Sequence, residues 1–157
     1  MTEHYANPTP EEARSALARA DRASVATPAD RDRLERGLIT IGLAVGALVP
    51  ALRVTVGNPD APGWFRLGGL AVVVLLYLAA IAIAVAGMRR ASAAPRGFTL
   101  RYHLGLGGTM ALYAGYVVLQ SARGEDALAW HWTITAALVT TIPALLGARA
   151  ISKLALR

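Results

Sequence analysis

Hydrophobic and polar positions fall in long blocks along this chain, not in the alternation of a half-buried strand. Residues 37–56, 67–88, 102–122 and 127–148 are apolar, with Arg53 the one charged interruption, and short charged segments separate them. The last three blocks hold 22, 21 and 22 residues, each enough for a helix across a hydrocarbon core of ~30 Å. Backbone polar groups find no water in that core, so a spanning segment satisfies them internally as a helix. The pattern predicts an all-α polytopic membrane protein: a four-transmembrane-helix bundle, residues 37–157, behind a polar cytoplasmic helical extension, residues 1–36.

The extension carries its own helix signals. In Thr9-Pro10-Glu11-Glu12, threonine caps, proline suits the first helical position, and Glu12 completes a capping box. Thr27-Pro28-Ala29-Asp30 repeats the signal with a shorter acid. A short helix, a break near residues 26–27 and a second helix leading into the first span are therefore expected. Pairs at helical spacing, Arg31/Glu35 and Asp32/Arg36, are placed to support that second helix. The first helix has only Leu17 as a bulky apolar residue among Ala13, Ala16 and Ala20, too weak a stripe for a membrane anchor. The first thirty residues also lack the basic start, apolar core and cleavage site of a secretory signal.

Small residues recur at four-residue spacing inside the blocks: Gly42 and Gly46; Gly107, Ala111 and Gly115; Thr133, Ala137 and Thr141. Residues four apart share a helix face, and small ones let a neighbouring backbone approach. These are the candidate packing positions, within the bundle first and, for the Gly107 strip, between copies as the alternative. Pro50 and Pro143 interrupt the ladder of the first and fourth spans. Thr140 or Thr141 is positioned to satisfy the backbone that Pro143 frees, and a static kink is expected there.

Charge changes the picture by its distribution. The formal net charge is +6 over 157 residues. Residues 89–101 carry Arg89, Arg90, Arg96 and Arg101 with no acid, and Arg149, Lys153 and Arg157 follow the last block. Arg53, Arg66 and Arg123 lie on the other side. The positive-inside rule then puts both termini in the cytoplasm, N-in/C-in. Trp64, Trp130 and Trp132 fall at the outer interface, where amphipathic rings settle. Arg53 is expected to snorkel toward the outer headgroups. The basic balance thus reads as orientation, and no stacking surface or recognition motif points to nucleic acid.

Candidate chemistry is sparse. Cysteine is absent, which removes disulfides, thiolate nucleophiles and cysteine-ligated metals. No Asp or Glu lies within the blocks, so a proton relay of embedded carboxylates is missing. His103 and His131 sit at opposite ends of their spans, roughly 20 Å apart in depth at ~1.5 Å per residue, so no shared metal or haem site is expected. His131 is placed to approach Gln120 near the outer end of the third span, a candidate polar site. Tyr77, Thr109, Tyr113 and Thr140 offer polar atoms for hydrogen bonds between helices. Gly105-x-Gly107-Gly108 lies in an apolar helix without the strand that a phosphate loop requires.

The segment Pro8-Thr9-Pro10-Glu11-Glu12-Ala13-Arg14-Ser15-Ala16-Leu17, followed by four apolar spans, resembles small uncharacterised actinobacterial four-span membrane proteins with an acidic, Ala-rich N-terminal helix. That resemblance implies a compact transmembrane bundle and supplies no catalytic residue. The expectation is a non-enzymatic membrane accessory or regulatory protein, without a cofactor, its partners the lipid bilayer and either a second copy or another membrane protein. The alternative is a small transporter or channel-like homo-oligomer.

Overall fold

The computed structural model describes residues 9–24, 26–58, 60–123 and 129–154. Over these the chain is helical: α1 (Pro10–Ser24), α2 (Pro28–Thr55), α3 (Gly63–Arg89), α4 (Phe98–Ala122) and α5 (Trp130–Ser152). Residues 127–128, assigned above to the fourth block, and the tail beyond residue 154 lie outside the described residues. Both helix starts in the extension form as capping boxes. The Thr9 N–H donates to Glu12 Oε2 at 2.8 Å while the Glu12 N–H donates to Thr9 Oγ1 at 3.3 Å. Thr27 and Asp30 exchange the same pair at 3.1 and 3.2 Å. The two ion pairs expected on α2, Arg31/Glu35 and Asp32/Arg36, do not form among the described residues. Arg33 bridges Asp30 at 3.4 Å, and Asp30 is turned into the protein instead of along the helix.

Three helices, α2, α3 and α5, are long and apolar enough to cross a membrane. Helix α2 is the centre of the assembly: it packs on α3, α4 and α5, and α4 packs on α5. The backbones of α3 and α4 do not approach closely, and among the described residues the α1 backbone approaches no other helix. Helix α3 packs its backbone on α2 alone, and Ala84 is its one buried residue.

The radial distribution of residue types is inverted relative to a water-soluble bundle. Among the fully buried side chains are Thr109, Thr133, Thr140 and Ala144, beside the buried glycines Gly42, Gly46, Gly105 and Gly147. Leucine, isoleucine and valine cover the outside, with Leu67, Leu75, Leu76, Ile83, Leu104, Val118, Leu138 and Leu146 all more than half exposed. A soluble monomer does not carry a continuous apolar belt of that extent. In lipid the outer face costs nothing, and association rests on close packing of small residues. This protein is a helical membrane protein on that observation.

Two apolar clusters use the few large residues inside. Leu38 of α2 meets Ala144, Ala148 and Ile151 of α5 and Leu154 beyond it, with Phe98 and Tyr102 of α4 packed against the group. Ile41 and Val45 of α2 meet Ala84 of α3, with Tyr77, Met88 and Tyr113 around them. The helix crossings themselves are glycine contacts. A Cβ at Gly42 would collide with Ala144, and one at Gly46 with Thr141. A Cβ at Gly147 would lie 3.0 Å from the Gly105 Cα and 3.1 Å from the Arg101 carbonyl oxygen.

Candidate functional site

The two ends of the bundle differ in chemistry. At the end bearing residues 89–101, the first turn of α2 is tied to the α3–α4 loop through Asp30. Its carboxylate accepts from the Thr27 hydroxyl at 2.8 Å, the Ser92 hydroxyl at 2.9 Å and the Ser92 N–H at 3.1 Å. Those donors favour the charged form, so the Thr27 side chain and backbone, then Ser92, hold the Asp30 carboxyl well below the ordinary carboxylate range. Arg33 extends the tie by donating to the Arg90 carbonyl at 3.0 Å. Arg101 of α4 donates to the Ala150 carbonyl at 3.1 Å, placing a cation on the last turn of α5. Gly97, with φ +82, starts α4 from the left-handed region that glycine adopts without a steric cost.

At the opposite end lie Trp64, Trp130 and Trp132, all exposed. Arg53, in the last turn of α2, does not simply extend outward as expected from snorkelling. Its Nη1 donates to the Thr133 hydroxyl, and its guanidinium lies 4.7 Å from the Trp130 ring centroid. Both contacts draw it onto the first turn of α5. Beside it a cleft of about 280 Å³ runs between α2 and α4, lined by Leu52, Arg53, Tyr113, Tyr116, Gln120 and Ser121 among others. The Gln120 Oε1 is buried without a hydrogen-bond partner. A neighbouring cleft of about 370 Å³ between α4 and α5 holds Arg123 and Trp132.

The structure sorts the packing candidates into two groups. Gly42 and Gly46 face Ala144 and Thr141, so they form one crossing with the Thr133, Ala137 and Thr141 face of α5. Thr133 and Thr141 are buried there, and the Thr141 hydroxyl donates to the Ala137 carbonyl at 2.9 Å. That bond replaces the one expected from Thr140 or Thr141 to the carbonyl freed by Pro143. Gly107, Ala111 and Gly115 are all exposed, and a Cβ at Gly107 or Gly115 would meet nothing within 4 Å. Packing of that strip within the bundle is thus corrected: α4 meets α5 through Gly105 and Gly108, on Gly147 and Pro143. A helix presents only part of the Gly105-x-Gly107-Gly108 run to one neighbour, and spacing alone did not reveal which part.

The polar candidates also separate. His131 is exposed and stacks obliquely on Trp132, 5.4 Å between centroids, with no hydrogen bond to Gln120. His103 is exposed on α4, its Nδ1 2.7 Å from the Thr99 carbonyl oxygen. Thr109 Oγ1 is buried without a partner, and no hydrogen bond from Tyr77, Tyr113 or Thr140 links two helices among the described residues. No group of three or more His, Cys, Asp or Glu side chains comes together among the described residues. Sequence reasoning missed Ser92 and Arg101 as partners; neither residue type carries a spacing signal for a contact across a loop. Comparison with protein-family models, curated proteins and solved structures finds no match.

Proposed function

We propose that this protein is a non-enzymatic accessory or regulatory component of a bacterial cytoplasmic membrane, built as a four-span bundle with both termini inside. The observation that carries the accessory reading is α1, a capped, polar helix that packs on no other helix among the described residues. It extends from the basic end of the bundle, where α2 and the α3–α4 loop are locked together by Asp30 and Arg33. A basic end tied together by these bonds, preceded in the chain by a polar helix, suits engagement of a larger membrane protein from the cytoplasmic side.

The four-span reading is supported by α4. Its 25 residues reach about 37 Å at ~1.5 Å per residue, longer than the hydrocarbon core of ~30 Å. It also packs on α5, itself long and apolar enough to cross. Purification of the full chain from native membranes, followed by mass spectrometry of what copurifies, tests the proposal. A stoichiometric second membrane protein is the expected result. Flux of a solute through vesicles containing this chain alone would favour the second reading, a transporter or channel-like homo-oligomer. The outward Gly107, Ala111 and Gly115 strip is the feature that favours it.

A further inference from the structure

Arg53 combines a fixed position with a charge that no acid among the described residues neutralises. Thr133 and Trp130 hold the guanidinium but carry no opposite charge, and no acid pairs with it among the described residues. Guanidinium has five N–H donors, and the bond to Thr133 uses Nη1 only. Among the described residues no acid lines the adjoining cleft. Gln120 and Ser121 stand two and one residues before the end of α4, level with the last turn of α2. They line the cleft together with Arg53, at the end of it where α2 and α4 finish. Tyr113 lies about 10 Å further down at ~1.5 Å per residue, and Val49, Leu52 and Val117 make the lower wall apolar. The cleft thus grades from a cationic, hydrogen-bonding mouth to a hydrocarbon floor.

We propose that this cleft between α2 and α4 binds the headgroup of phosphatidylglycerol from the surrounding leaflet. The phosphate takes the free N–H donors of Arg53, a charge-assisted bond. A glycerol hydroxyl donates to Gln120 Oε1, the buried acceptor with no partner in the protein. The upper part of one acyl chain lies along Leu52 and Val117. The Arg53 cation and the Gln120 acceptor thereby each gain a partner that no described residue supplies. This site rests on the reading that α4 crosses the bilayer beside α2.

Native mass spectrometry of the full-length protein in detergent, titrated with phosphatidylglycerol, phosphatidic acid or phosphatidylcholine, tests it. Wild type should retain phosphatidylglycerol roughly tenfold or more over phosphatidylcholine, the scale of one hydrogen bond to a charged group. Arg53→Gln should cut that preference severalfold, leaving only what the glycerol contact with Gln120 supplies. Gln120→Leu should keep the anionic preference and lose the preference for phosphatidylglycerol over phosphatidic acid. Arg123→Gln, at the same end but in the neighbouring cleft, should leave selectivity unchanged. Equal retention of phosphatidylglycerol and phosphatidylcholine by wild type would overturn the site, as would an Arg123→Gln effect equal to that of Arg53→Gln. If Arg53→Gln fails to fold, the Gln120→Leu result decides: an unchanged preference over phosphatidic acid rejects the site. Accessibility of cysteines placed at Ala93 and Ala127 reads the α4 crossing separately. Opposite-side labelling without lipid selectivity rejects the site alone, and same-side labelling rejects the four-span reading.

Discussion

Asp30 and Thr109 show how differently a buried oxygen fares at the edge and in the middle of this bundle. Asp30 lies in the polar first turn of α2, outside the apolar block, and is surrounded by donors from Thr27, Ser92 and Arg33. Its carboxyl is held low, so the stability it contributes is fully present above the unfolded value of about 4. That contribution is lost as the pH falls through the lower folded value. Asp30→Asn replaces an acceptor oxygen with an NH₂ facing donors. It should melt below wild type in detergent at pH 7, with the gap narrowing as the pH drops below about 4; a gap independent of pH would refute the role of the charge. Thr109 is the opposite case, a hydroxyl buried without a partner. Removing an unsatisfied group without changing shape is neutral or stabilising, so Thr109→Val should match or exceed wild type by up to ~1 kcal/mol. Thr109→Ala should fall below it by leaving a void. A clear loss in Thr109→Val, measured by thermal unfolding in detergent, would show that the hydroxyl has a partner after all.

Among the elements, glycine position decides what each helix can touch. Gly105 and Gly147 meet at a backbone crossing where an added Cβ lies 3.0–3.3 Å from the partner's Cα. Gly107 and Gly115, on another face of α4, have open space. Gly105→Val and Gly147→Val should each destabilise the monomer by ~1–3 kcal/mol, the usual cost of overpacking a close contact. Gly107→Leu and Gly115→Leu should leave monomer stability near wild type. If crosslinking finds a dimer, those two variants are the ones that should weaken it. Equal losses in all four variants would contradict the division of α4 into an inner and an outer glycine face. The block pattern and the capping residues made the helices legible, because length, hydropathy and Thr-x-x-acid spacing are local properties. Facing was legible for Gly42, Gly46, Thr133 and Thr141, where two matching small strips meet. It was not legible for α4, whose closely spaced glycines occur on two faces. Nor did sequence place the Arg53–Thr133–Trp130 contact or the Asp30–Ser92 tie, since both join residues far apart in the chain through side-chain reach.

For the whole molecule, the unequal helices set the decisive test. Helix α3 packs its backbone on α2 alone and buries only Ala84, so lipid covers much of its surface. Helix α4 is less apolar but packs on both α2 and α5. A chain crossing four times places the α3–α4 loop and the α4–α5 loop on opposite faces, and one in which α4 stays at the surface places them together. Single cysteines at Ala93 and Ala127, in a chain that has none of its own, read this directly. In intact cells a membrane-impermeant maleimide should label Ala127→Cys and should reach Ala93→Cys only after the membrane is opened. The proposed direction rests on the basic residues around position 93, since Lys and Arg near span ends are retained inside. Replacing Arg89, Arg90 and Arg96 with glutamine should then produce a fraction of molecules with reversed labelling, while the same change at Arg53, Arg66 and Arg123 should not. Asp30, Ser92 and Arg33 lie against that loop, so detergent stability of the triple variant separates a topological effect from a folding one. Labelling of both positions from the same side would remove α4 from the bilayer and leave α2, α3 and α5 as the spans.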